Sequence, residues 1–143
     1  MNWQDDFGDE LTLNQSVAEK TTYRIGGVAQ RFFEPSSALR TAELLGHLDR
    51  EEGGFRVLGG GANVLIDDDE TEIPIVHPSR LDRFEIDGDR VIVGAGASFP
   101  RLVADTVRAG LAGCETLVGI PGQVGGACAM NAGGRYGEFA DVI

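Results

Sequence analysis

The chain has 143 residues and a mass of 15.2 kDa, enough to bury one moderate core or two small lobes. A formal net charge of −11 and a sequence pI of about 4.4, with no block of Lys or Arg, argue against a nucleic-acid partner, because a phosphate backbone would be repelled. No apolar run approaches the ~20 residues of a membrane span, so no membrane partner is expected.

Cys114 and Cys128 lack Cys or His neighbours at metal-ligand spacing, so no metal site is expected. Residues 1–6 show no basic-then-apolar leader, which makes a reducing cytoplasm the expected compartment. The 21 glycines are roughly twice the usual ~7% share and gather between residues 94 and 137. Apolar residues are interleaved with them, which suggests backbone-shaped ligand contact and not a linker.

Residues 1–20 are acidic and weakly periodic until Leu11, Leu13 and Val17, so they are predicted to be an arm leading into structure. Thr22-Tyr23-Arg24-Ile25-Gly26-Gly27 ends in a turn, and Ala29–Glu34 reads as a strand stopped by Pro35. Ser36 or Ser37 can cap a helix on which Leu39, Ala42, Leu45 and Leu48 recur at helical spacing, closed by Gly53-Gly54. Phe55–Leu58 is the next strand, which completes a strand–helix–strand unit.

The stretch Leu58-Gly59-Gly60-Gly61-Ala62-Asn63-Val64-Leu65 then joins two apolar runs through three glycines with no helix between them. Without Cβ atoms such a loop can bring bare N–H groups together as an anion-binding nest, so a pyrophosphate cradle is one reading. A tight turn between two strands is the other. A dinucleotide fingerprint fails, because Val64 stands where the third glycine belongs and an acidic run follows. A P-loop fails because no Gly-Lys-Ser/Thr is present.

Val64–Ile66 and Ile73–Val76 read as strands on either side of a solvated acidic turn, Asp67–Glu70, which lacks EF-hand spacing. Phe84–Asp87 and Val91–Val93 form a hairpin about Gly88-Asp89. Gly94-Ala95-Gly96-Ala97-Ser98 leads into a helix running from Pro100 through Leu111. Phe99 at the third glycine position makes that site an ordinary strand-to-helix turn.

The segment from Gly119 to Gly134 is too glycine-dense for an ordinary helix and too apolar for a surface linker. It is expected to form a flat wall of a ligand pocket, with Asn131 offering an amide. Arg24 could meet a phosphate or make a surface ion pair; Arg135 is weighed the same way, with ligand contact the less favoured reading. His47 and His77 read as ordinary solvated or capping histidines, and both cysteines as small buried fillers.

Taken in order, the Thr22–Gly27 segment, the Gly59–Leu65 loop, the Val93–Ala97 turn, Gly119-Ile120-Pro121-Gly122, Gly125-Gly126 and Met130-Asn131-Ala132-Gly133 resemble the UDP-N-acetylenolpyruvoylglucosamine reductase family. The resemblance runs from about residue 20 to the C-terminus and implies an α+β, two-lobed FAD-binding domain of the vanillyl-alcohol-oxidase type with FAD between the lobes. It implies an arm at 1–20, a first FAD-binding lobe at 21–78 and an incomplete second lobe at 79–143. The rest of that lobe and a C-terminal substrate-binding domain would lie beyond Ile143. Two departures stand out: Thr21 where the family commonly has Asn, and Gly134-Arg135-Tyr136-Gly137 in place of Gly-Ala-Tyr-Gly.

The resemblance further implies that Gly59, Gly60, Gly61, Ala62, Asn63 and Val64 cradle the FAD pyrophosphate. Gly119, Ile120, Pro121, Gly122, Gly125, Gly126, Asn131, Ala132 and Gly133 would run along the flavin. NADPH would be the electron donor and UDP-N-acetylglucosamine enolpyruvate the substrate, in a monomer serving peptidoglycan synthesis. The family's catalytic arginine, proton-donating serine and glutamate belong to segments past Ile143, so no catalytic residue is assigned here. The alternatives are another flavin oxidoreductase of the same fold and a non-catalytic flavin-binding fragment.

Overall fold

A computed structural model describes residues 3–51 and 53–143, which fall into two compact units, Met1–Leu81 and Asp82–Ile143. The first contains helix α1 (Trp3–Phe7), strands β1 (Leu11–Ser16) and β2 (Val28–Phe33), helix α2 (Ala38–Glu51), and the short strands β3 (Arg56–Val57) and β4 (Ile75–Val76). β1 pairs antiparallel with β2, while β4 lies parallel to β2 on one side and to β3 on the other, giving the order β1-β2-β4-β3. The parallel pairs require a crossover, and α2 supplies it between β2 and β3.

Successive strand residues point to opposite faces, and Phe32 and Phe33, both fully buried, nucleate one cluster on each side of the sheet. Phe33 joins Phe7, Leu11, Leu44, Leu48 and Val76; Phe32 joins Val17, Ala29, Leu58 and Ile75. β4 divides in the same way, with Ile75 on one face and Val76 on the other. The strand–helix–strand expectation therefore holds.

Three expectations for this unit need correction. Residues 11–16, expected within an arm, form an edge strand in register with β2 from Leu11↔Phe33 to Ser16↔Val28. Only Leu11 of the six is buried, so the alternation that betrays a strand is missing. On α2 the buried stripe is Leu44 and Leu48 with Leu45 beside them, whereas Leu39 is 70% exposed and Ala42 is exposed. Both sets satisfy helical spacing, and sequence alone does not say which face the sheet covers. Val64–Ile66 is irregular: residues 67–71 take the place beside β2, through Gly27 N–H to Asp67 O at 2.7 Å and Thr71 N–H to Val28 O at 2.8 Å.

Ser37 caps α2 by accepting the Arg40 N–H at 3.2 Å. Just before the helix a buried carboxylate ties the N-terminal turn down. Glu10, 4% exposed, accepts from the Ser36 N–H at 2.7 Å, from the Ser36 hydroxyl, and from Arg40 Nε at 3.1 Å. Burial pushes its pKa up, but the Ser36 and Arg40 hydrogen bonds outweigh that, and the group lies below its ordinary value.

The second unit opens with the expected hairpin, β5 (Phe84–Asp87) and β6 (Arg90–Val93), in register Phe84↔Val93 to Asp87↔Arg90 about Gly88-Asp89. Helix α3 (Phe99–Arg108) begins at Ser98, whose side chain accepts the Arg101 N–H at 3.4 Å, with Pro100 in its first turn. Helix α4 (Val124–Ala129) and the short hairpin β7 (Gly133–Gly134) and β8 (Gly137–Glu138) follow. Phe99, Leu102 and Val103 of α3 pack with Val124 and Ala127 of α4 and with Leu117 and Phe139. Among the described residues no helix is long and apolar enough to cross a membrane.

α4 itself corrects the expectation that residues 119–134 are too glycine-rich for a helix. Six residues suffice to place Val124 and Ala127, three apart, on the core side, and that burial outweighs the poor propensity of Gly125 and Gly126. The same geometry turns Cys128 outward, so it is exposed where a buried filler was expected; Cys114 is half-buried against the core.

Candidate cofactor-binding site

Leu58 leaves β3 held at both of its backbone groups. Its N–H donates to Val76 O at 3.0 Å, and its carbonyl is 2.7 Å from Nδ1 of His77. At the other side of the glycine run, Gly61 O accepts from the Thr22 N–H at 3.0 Å. Gly61 has φ 63°, and a Cβ there would stand 2.1 Å from Lys20 O and 2.7 Å from Thr21 Cα, so only glycine fits. The loop is therefore fixed at 58 and at 61.

Between and beyond those anchors, the N–H groups of Gly59, Gly60, Gly61, Ala62 and Asn63 donate to no protein acceptor among the described residues, while Ala62-Asn63 form a turn that folds Val64 back towards Gly61. Backbone donors withdrawn from water are normally paired, and Gly61 in this run is buried. A run of free amides on a loop clamped at two points has the chemistry that a diphosphate requires, so these residues fit the group. Gly59, Gly60, Gly61, Ala62 and Val64 are buried or half-buried, and Asn63 is exposed.

Around this loop lies a small charged cluster. Glu34 accepts from Ser79 Oγ at 2.7 Å and from Lys20 Nζ at 3.4 Å. Burial raises its pKa, but the Ser79 bond and the positive charge of Lys20 outweigh this and hold the carboxyl below its ordinary value. Arg24, at φ 56°, is exposed, and it makes no ion pair among the described residues.

His77 departs from expectation: it is 6% exposed, its ring tilted against Phe32 with centroids 5.6 Å apart. His47 is half-buried on α2. Asp67–Glu70 is exposed as expected, yet it is tied to the strand region through Gly26 N–H to Asp68 Oδ1 at 3.3 Å and Gln30 Nε2 to Glu70 Oε1 at 2.7 Å. Among the described residues no group of His, Cys, Asp and Glu could hold a metal ion.

The remaining candidates lie in the second unit. Gly119, Ile120, Pro121 and Gly122 form an irregular strip leading into α4; Gly125 and Gly126 are in α4, and Asn131, Ala132 and Gly133 follow it. Phe99 N–H to Gly122 O at 3.0 Å and Val124 N–H to Ala97 O at 2.9 Å stitch the strip to the turn before α3. Asn131 has φ 44°, and its Oδ1 accepts the Ala140 N–H at 2.9 Å. One lone pair of its side-chain carbonyl is thus committed within the protein, and the amide is held by that bond. Arg135 lies over the Tyr136 ring at 5.8 Å.

A family model described as an FAD binding domain matches residues 29–143. The chain belongs to this FAD-binding domain family. It is 35% identical, over 96% of its length, to the UDP-N-acetylenolpyruvoylglucosamine reductase of Fervidobacterium nodosum, and 38% identical, over its whole length, to that of Anaeromyxobacter dehalogenans. It covers 44% and 45% of those proteins, so it spans about half the length of the curated relatives it matches. Among solved structures it is similar to the UDP-N-acetylenolpyruvylglucosamine reductase (MurB) of Thermus caldophilus, with TM-score 0.76 and 34% identity over 92% of this chain and 46% of that one. The mixed helix-and-strand architecture agrees with the α+β class expected of an FAD-binding domain.

The roles of three residues that shape the candidate site escaped sequence reading. His77 and Thr22 anchor the glycine loop, and Ala95 receives the backbone of Gly125, whose N–H donates to Ala95 O at 2.8 Å. The signal for His77 is the β3–β4 register: Val57↔Val76 puts the next residues, Leu58 and His77, beside each other.

Proposed function

We propose that this chain is the FAD-binding portion of an NADPH-dependent reductase that converts UDP-N-acetylglucosamine enolpyruvate to UDP-N-acetylmuramate in peptidoglycan synthesis. The uncommitted N–H run at residues 59–63 carries the reading, joined to similarity along nearly the whole chain to reductases of that name. The flavin, when bound, supplies hydride transfer between the nicotinamide donor and the substrate double bond. This chain's own contribution is binding and orientation.

In this reading the amides of Gly59, Gly60, Gly61, Ala62, Asn63 and Val64 hold the diphosphate, replacing its water by fixed dipoles that need no reorganisation. With a net charge of −11 over the chain, backbone dipoles can grip an anion where a broad basic field is missing. Gly119, Ile120, Pro121, Gly122, Gly125, Gly126, Asn131, Ala132 and Gly133 offer a low-relief surface on which a planar ring can lie. Free thiols at Cys114 and Cys128 suit a reducing, cytoplasmic compartment, and a monomer is the accompanying expectation.

The test is to express the complete reading frame that contains this chain, then record the visible flavin band and NADPH oxidation with and without the enolpyruvyl sugar nucleotide. The expected result is a yellow protein whose NADPH oxidation depends on that substrate. A colourless protein overturns the reading; a yellow one indifferent to the sugar nucleotide points to another flavin oxidoreductase of this fold.

A further inference from the structure

We propose that His77 is a positioning residue that aims the first free amide of the diphosphate loop; this rests on the flavin-binding reading above. Leu58 O has no proton to give, so in the 2.7 Å contact Nδ1 of His77 is the donor. The imidazole is well confined. Its own backbone N–H donates to Phe33 O at 2.8 Å, its ring leans on the fully buried Phe32, and only 6% of the residue is exposed.

The carbonyl of Leu58 and the N–H of Gly59 belong to one planar trans peptide and point in opposite directions. Fixing the Leu58 oxygen therefore fixes the direction of the Gly59 N–H, the first donor of the uncommitted run. Two glycines follow immediately, and their backbone freedom means that nothing local would otherwise hold that plane. Val76 O holds the preceding plane through the Leu58 N–H at 3.0 Å, so the His77 bond is what extends order from β3 into the loop. A donor aimed before the ligand arrives spares the ordering cost on binding.

Two substitutions separate this from a packing role. His77→Leu keeps apolar volume and removes the donor; His77→Asn puts an amide N–H at the δ position. In the protein from the complete reading frame, affinities for FAD and for riboflavin, which lacks the diphosphate, are measured together. His77→Leu is expected to bind FAD about 10-fold more weakly with riboflavin unchanged, the loss of one net hydrogen bond, and His77→Asn to recover most of it.

Unchanged FAD affinity in folded His77→Leu, an equal loss for both flavins, or no recovery with Asn overturns the proposal. Should His77→Leu not fold, the ring ¹⁵N spectrum of the wild type decides: a protonated Nδ1 agrees, and a bare Nδ1 overturns it. A wild type that binds neither flavin overturns the flavin reading itself, while the ring spectrum still reports on the bond.

Discussion

Gly125 lies so close to Ala95 that a Cβ built on it would stand 2.8 Å from the Ala95 Cβ and 3.1 Å from the Ala95 carbonyl oxygen. That oxygen already accepts the Gly125 N–H, so the helix cannot retreat without breaking the bond. Gly126, one residue on, has nothing within 4 Å of its would-be Cβ. Gly125→Ala is expected to cost about 1–3 kcal/mol through overpacking, whereas Gly126→Ala gains about 0.5–1 kcal/mol of helix propensity. Denaturant unfolding of the two variants distinguishes them, and equal shifts would contradict overpacking at Gly125.

Gly61→Ala tests the clamp on the glycine loop. Positive φ and a 2.1 Å clash with Lys20 O act together there, so the loop must shift and stability should fall by about 2–4 kcal/mol. Thermal unfolding with and without FAD is the measurement. The variant should lose both the intrinsic stability and the additional rise in Tm that FAD gives the wild type.

Leu44→Ala should cost about 2–4 kcal/mol, because Leu44 of α2 is fully buried in one cluster with Phe33. Leu39→Ala, at a site 70% exposed, should stay within about 0.5 kcal/mol of the wild type. Chemical denaturation of both variants checks which leucines face the sheet; the opposite ranking would place the stripe where periodicity alone suggested.

Acid stability should carry the signature of Glu10. Its folded pKa lies below the unfolded value of 4.5, so its contribution is fully present above that value and is lost as pH falls through the folded pKa. Glu10→Gln should be about 1–3 kcal/mol less stable at neutral pH, with a shallower decline below pH ~4.5. Urea midpoints taken from neutral pH down through the acidic range give both quantities, and parallel curves for variant and wild type would remove Glu10 from the account.

Much of the fold was legible because its signals are local. Pro35 after Phe32-Phe33, the serines before α2, Gly88-Asp89 and Ser98 before Pro100 each mark an element boundary by backbone chemistry alone. What escaped depends on partners distant in sequence. β1 shows no alternation because it lies at the sheet edge, the face of α2 is chosen by Phe7 and Phe33, and His77 acquires its role only when β4 lies beside β3. The glycine loop was legible as a nest of donors, but its anchors at Thr22 and His77 were not, since a hydrogen bond to a backbone carbonyl leaves no pattern in sequence.

In the proposed function the amides of the glycine loop grip the cofactor diphosphate. Titrating FAD into ¹⁵N-labelled protein and following the backbone amides of Gly59–Asn63 tests it most directly. These resonances should move downfield together and saturate at one equivalent, while riboflavin leaves them in place. Flavin bound at one equivalent with the Gly59–Asn63 amides unmoved would contradict it.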